Sequence, residues 1–136
     1  MSSSRPFTER RALPRYRPTG LHVEVRRSGR LARTRAEALD FNRFGIGILI
    51  DQPIAKDKKI FISLRHGPRV LENVVGVVHN CIPHNGRFRC GVQFRTRSET
   101  QFDKDWVERV LLDLECVFND ARGEPNDEQQ ALAAAN

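Results

Sequence analysis

Between residues 21 and 94 apolar side chains recur at every second position in short runs, and each run ends in a turn signal. Segments patterned this way bury one face by pairing as strands. Leu21, Val23 and Val25 alternate with His22, Glu24 and Arg26, and Ser28-Gly29 then turns the chain. Residues 31–41 read as a second strand with mixed faces. Residues 45–50 (GIGILI) form a short apolar strand closed by Asp51-Gln52-Pro53, and residues 59–64 set Ile60, Ile62 and Leu64 on one side. His66-Gly67-Pro68 is the next turn. Residues 69–81 predict a long strand with Val75 and Val77 on one face and Val74 and Val78 on the other, with a bulge at Gly76. Residues 87–94 return.

Asn85-Gly86 joins those last two strands, and both residue types tolerate the positive φ that a type I′ turn demands. A two-residue turn there sets His84 against Arg87 and, counting back, Cys81 against Cys90 at a non-hydrogen-bonded pair, where side chains lie closest. These read as thiols packed as small hydrophobes, linked only under oxidising conditions.

The period then changes. Phe102, Trp106, Val110, Leu114 and Val117 recur at helical spacing, and Val107, Leu111 and Phe118 widen the stripe. Ser98 and Thr100 are candidate N-caps, and Asp103 and Asp105 suit a helix N-terminus. The expected helix runs over residues 100–118 and lays its apolar side on the sheet. Residues 1–9 read as a flexible arm, and Pro14 and Pro18 hold residues 10–18 extended. Residues 119–136 read as a disordered, acidic and Ala-rich tail. The fold class that follows is all-β, an antiparallel barrel of about six strands with a C-terminal helix, since short strands joined by tight turns dispose of their edges by closing.

Charge is uneven along the chain. Residues 1–35 carry ten Arg against two Glu, whereas residues 99–136 hold three basic and ten acidic side chains. A front end this basic attracts an anion, and Arg rather than Lys suits phosphate oxygens and a guanine edge. The longest apolar run, residues 45–50, is far short of the roughly 20 residues a spanning helix needs. No basic leader followed by an apolar stretch opens the chain, and three cysteines without a CxxC suit a reducing compartment, so a cytoplasmic location is expected.

Catalytic patterns are missing: there is no GxSxG, no HExxH and no phosphate-cradling glycine loop. His79, Cys81, His84 and Cys90 gather near one hairpin, but they are spread along strands rather than set in tight knuckles, so no zinc site is expected. The chain reads as neither an enzyme nor a holder of a metal or cofactor. Two other stretches offer chemistry. Arg11 and Arg15 form an RxxxR pair before the first strand, about 13 Å apart at most in an extended chain, and so able to hold one nucleotide-sized anion. Asp40 and Asn42, two apart on a strand, point the same way, and a carboxylate beside an amide can pair with the amino and ring N–H donors of guanine. Gly45 lets a ligand approach the backbone.

In these motifs the chain resembles a PilZ domain, the bacterial receptor module for cyclic di-GMP. The family's RxxxR motif matches Arg11 and Arg15. Its (D/N)xSxxG motif matches Asp40, Asn42 and Gly45, with Asn42 where Ser is usual. The later GxVv…gryrxGvxF pattern matches Gly76-Val77-Val78 and residues 86–94, so the resemblance covers about residues 9–118. It implies a PilZ-like domain over residues 10–118 with a ligand-binding loop at 10–18, and a noncatalytic receptor whose loop orders on cyclic di-GMP and signals to an unidentified protein effector. By this resemblance Arg11 and Arg15 clamp phosphates and guanine, Asp40, Asn42 and Gly45 line the base pocket, and Arg10 adds a stacking or phosphate contact. A monomer or weak dimer is expected. Two alternatives stay open: a degenerate adaptor that binds only protein, and a small basic barrel for single-stranded nucleic acid, the latter disfavoured because most aromatics read as core.

Overall fold

The alternating runs pair as expected. A computed structural model describes residues 14–96 and 104–123. Among these lie β1 (His22–Arg27), β2 (Arg33–Asn42), β3 (Gly45–Ile50), β4 (Lys59–His66), β5 (Arg69–His84), β6 (Arg87–Phe94) and the helix α1 (Lys104–Gly123). The strands join in the order β1-β2-β3-β6-β5-β4, every neighbour antiparallel, and β4 returns to β1 to close a barrel. Closure satisfies the backbone groups that an edge strand would leave open.

Inside stand Val23, Val25, Ile46, Ile48, Ile60, Ile62, Leu64, Val74, Val78 and Val92, all buried. Strand ends differ from expectation by a few residues: β2 begins at Arg33, β4 continues through His66 and β5 through His84. Gly76 is not a bulge. It pairs in register with both Ile60 and Phe94, and a Cβ there would lie 2.7 Å from Val92 Cγ1, so this glycine serves close packing within the barrel.

The bulges fall elsewhere, between Ala38 and Asp40 on β2, between Ile62 and Leu64 against β5, and between Val78 and Asn80 on β5. An extra residue resets the two-residue phase of a strand. The first bulge therefore lets Ala38 and Phe41, three apart, both face inward, and the last does the same for Val78 and Cys81. The β5–β6 turn has Asn85 at φ 50° and Gly86 at φ 82°, both in the left-handed region, and His84 faces Arg87.

Helix α1 packs against β2 and β5. Val107, Val110, Leu111, Leu114 and Phe118 form its buried face, with Asp105 in the first turn as expected. Phe118 stands edge-on to Phe41, ring centroids 5.5 Å apart, and Phe41 in turn meets Phe94 at 6.0 Å. Two expectations are corrected here. Trp106 does not lie in the buried stripe but is 52% exposed, and the helix runs past Phe118 to Gly123, into the segment read as tail. The arm at 1–9, the candidate caps Ser98 and Thr100, Phe102 and Asp103 in the expected first turn, and residues 124–136 lie outside the described residues. No helix among the described residues is long and apolar enough to cross a membrane.

Cys81 and Cys90 face each other as the turn register requires, both thiols free, with Sγ atoms 3.0 Å apart. Burial pushes the Cys90 thiol from near 9 up to about 12, reinforced by its hydrogen bond and proximity to Cys81. A raised thiol pKa makes the folded protein hold its proton while the unfolded chain releases it. Stability from this group is therefore complete below about pH 9 and is lost as pH climbs toward 12. Urea unfolding is expected to show a loss of about 1–2 kcal/mol between pH 8 and 10.5 that Cys90→Ala does not share; equal pH slopes in the two proteins would contradict this assignment.

Candidate ligand-binding site

Pro14 and Pro18 keep the chain ahead of β1 extended, and it lies alongside β2. The reason is a vacancy in the ladder: β1 pairs only with residues 33–36 of β2, so the far half of β2 has open backbone groups on that side. Tyr16 takes them, donating its N–H to the carbonyl of Phe41 and accepting the Phe41 N–H in return, each at 2.9 Å. Tyr16 turns inward and is buried, which aims its neighbour Arg15 outward over the barrel wall.

There Arg15 Nη1 donates to Asp40 Oδ1 at 2.7 Å. The same oxygen accepts the Gly47 N–H at 3.0 Å, while Arg89 Nη2 stands 3.8 Å from Oδ2. The carboxylate thus sits between two guanidinium groups, with Oδ2 the less occupied oxygen. Gly45 and Gly47 make the arrangement possible. A Cβ at Gly45 would lie 2.6 Å from the Val92 carbonyl oxygen and 3.3 Å from Arg15 Nη2, and one at Gly47 would strike the Asp40 carboxylate at 2.9 Å.

Asn42 belongs to the same corner and has a structural task there besides lining the groove. Its side chain is buried, and its Oδ1 accepts both the Phe44 N–H at 2.9 Å and the Gly45 N–H at 3.0 Å. Its Nδ2 donates to the Pro14 carbonyl at 3.3 Å. This is an Asx turn that closes the β2–β3 link and ties the Arg15 segment to it. Arg43, in that link, reaches Glu115 on α1 at 3.7 Å.

Arg15, Asn42 and Gly45 line a groove of about 540 Å³, whose other wall includes Lys56, Asn80 and Gln93. Gln93 Oε1 is engaged by His79 Nε2 at 2.7 Å. A larger groove of about 850 Å³ runs over β1, β2 and β4, and takes in Arg17. Its Arg33 meets Glu24 and Glu72, and Arg35 and Arg65 also line it. Of the expected site residues the fold brings Arg15, Asp40, Asn42 and Gly45 together; Arg10 and Arg11 lie outside the described residues. No group of three His, Cys, Asp or Glu able to hold a metal occurs among the described residues. Sequence reasoning gave no site role to Gly47, Lys56, Asn80, Arg89 or Gly91, which the fold places at this corner. The turn register that paired Cys81 with Cys90 also pairs Asn80 with Gly91, so that part of the signal was present.

Comparison with known proteins settles the lineage, because the PilZ domain model matches residues 9–113, which span the Arg segment, the barrel and the first half of α1. The chain belongs to the PilZ domain family. The PilZ domain of YcgR from Escherichia coli, solved with c-di-GMP, is similar in fold, with a TM-score of 0.57, 14% identity, and 85% of this chain and 98% of that one covered. MrkH of K. pneumonia in complex with c-di-GMP has a TM-score of 0.59 at 19% identity, covering 82% of this chain and 54% of that one. This PilZ chain therefore spans about half the length of MrkH, as it does of full YcgR, of which 51% is covered. No match is found among the curated proteins.

Asn42 gives this PilZ domain a local test. Asn42→Ala leaves two N–H groups without their acceptor and should lower unfolding free energy by about 1–3 kcal/mol in urea. Asn42→Ser keeps a shorter acceptor and should lose less. An alanine variant as stable as the parent would contradict the turn-closing role.

Proposed function

We propose that this PilZ domain is a noncatalytic receptor for cyclic di-GMP that passes ligand binding on to a protein partner. The observation that carries the reading is Arg15, which lines the groove beside Gly45 and is held there by its ion pair with Asp40. It places a phosphate-binding fork next to a carboxylate with one oxygen lightly engaged, and guanine with its attached phosphate offers the complement of both. The solved relatives YcgR and MrkH, each in complex with c-di-GMP, support the same ligand class.

In this reading Asp40 holds Arg15 in place before the ligand arrives, which reduces the entropy lost on binding. Arg15 turns part of its fork to phosphate or to guanine O6 and N7, while Asp40 accepts from the ring and amino N–H groups. Gly45 lets the ligand approach the backbone, and Asn42 keeps the floor of the pocket in shape. Arg10 and Arg11, a few residues ahead, close over the ligand from the N-terminal side, so that binding orders this segment. Arg43 offers a route outward: it leaves the turn shaped by Asn42 and ends on Glu115 of α1, linking the pocket to the helix surface.

Losing one charge-assisted contact costs about 1.5–3 kcal/mol, or roughly ten- to hundredfold in affinity. Calorimetric titration of Arg15→Ala with cyclic di-GMP should show at least that tenfold loss. GMP and cyclic di-AMP should bind the parent protein more weakly than cyclic di-GMP does. Unchanged affinity in Arg15→Ala, or no binding by the parent, would overturn the reading.

A further inference from the structure

The barrel wall beside the groove has a symmetry that the family motifs do not contain. Two bulges lie at the same level on the strands flanking the β3–β6 pair, one just before Asp40 on β2 and one just before Asn80 on β5. Each re-aims a short polar side chain over a neighbouring strand. Asp40 Oδ1 accepts the N–H of Gly47, and Asn80 Oδ1 accepts the N–H of Gly91, both at 3.0 Å. A Cβ at Gly47 would be 2.9 Å from Asp40 Oδ1, and one at Gly91 3.1 Å from Asn80 Oδ1, so each tip lies directly over its glycine. Gly47 and Gly91 are themselves paired across β3 and β6. The carboxylate and the carboxamide therefore flank the Gly47–Gly91 pair, Asp40 from the β2 side and Asn80 from the β5 side.

Their hydrogen-bonding characters differ, and the backbone fixes which character each presents. An N–H can only donate, so the bond from Gly91 holds the Asn80 oxygen down and leaves its NH₂ group as the one presented to a ligand. Asp40 can only accept. The wall thus offers an acceptor on one side of the glycine pair and a donor on the other. Guanine's pairing edge has the opposite sequence: the 2-amino and ring N–H donors, followed by the O6 acceptor. Adenine has one donor directly beside one acceptor and lacks guanine's 2-amino donor, so its pairing edge spans less of the gap between the two side chains.

We propose that Asn80 is the donor half of a base-reading pair with Asp40, giving its Nδ2–H to O6 of a guanine whose N–H donors face Asp40. Asn80 then determines specificity for guanine over adenine. The inference rests on the cyclic di-GMP reading above and adds to it a residue and a cause of selectivity.

The test compares the parent with Asn80→Ala and Asn80→Asp by calorimetry against cyclic di-GMP and cyclic di-AMP, with thermal melts on each protein. Asn80→Asp keeps an acceptor for the Gly91 N–H and so preserves the bulge, but it sets an acceptor against O6. Asn80→Ala should weaken cyclic di-GMP about five- to tenfold, and Asn80→Asp tenfold or more. In both, the preference for cyclic di-GMP over cyclic di-AMP should narrow. Unchanged affinity in a folded variant overturns the proposal, and so does an equal loss for both ligands, which marks a structural or purely electrostatic effect. In either case the receptor reading survives. A parent that binds neither dinucleotide overturns the receptor reading and this proposal with it.

Discussion

Because Gly45, Gly47 and Gly91 carry no side chains, polar groups from the flanking strands can lie down on the barrel wall instead of standing away from it. That constraint organises the whole corner. Asp40 reaches across to a backbone N–H of β3, Arg15 comes over Gly45 to meet it, and Asn80 does the equivalent from β5. Any Cβ at these positions would push the ion pair or the amide outward, and at Gly45 it would also strike a backbone carbonyl, which cannot swing aside.

The barrel supplies the rigidity that such a surface needs. A closed sheet with a tightly filled interior fixes the spacing of its outward positions, so a recognition surface built on β2, β3, β5 and β6 keeps its geometry without a ligand. The extended segment at Tyr16 is held differently. It is joined to β2 through a reciprocal pair of backbone hydrogen bonds and the Asn42–Pro14 contact, at the point where β1 leaves that strand uncovered. Arg15 is thereby positioned by an element with far fewer bonds than the wall it faces. The proposed receptor function accordingly puts ligand-dependent movement there and not in the strands.

Much of this was legible in the sequence because it depends on local rules. Alternation gave β3 and β6 their observed bounds, Asn85-Gly86 gave the hairpin register and the facing cysteines, and the change of period gave α1. The bulges were not legible. Nothing about Leu39 or His79 in isolation says that a strand will carry an extra residue there, since the cause is the demand that Ala38 and Phe41, or Val78 and Cys81, all face inward. Gly76 was misread for the related reason that its role depends on Val92, a partner far along the chain. Motif reasoning brought Arg15, Asp40, Asn42 and Gly45 to one place but did not foresee that the Asn42 oxygen also closes a turn. Trp106 shows the converse limit: helical spacing suggested burial, yet the residue falls at the margin of the stripe and remains half exposed.

The central claim is that a guanine dinucleotide lies on the β3–β6 wall, between Arg15 and Asn80. Backbone amide shifts recorded by NMR during titration with cyclic di-GMP test it most directly. The account expects the Gly45, Gly47 and Gly91 amides to move most among barrel residues. Saturable shifts confined to the larger groove around Arg33 and Glu72, with those three glycines unmoved, would contradict it.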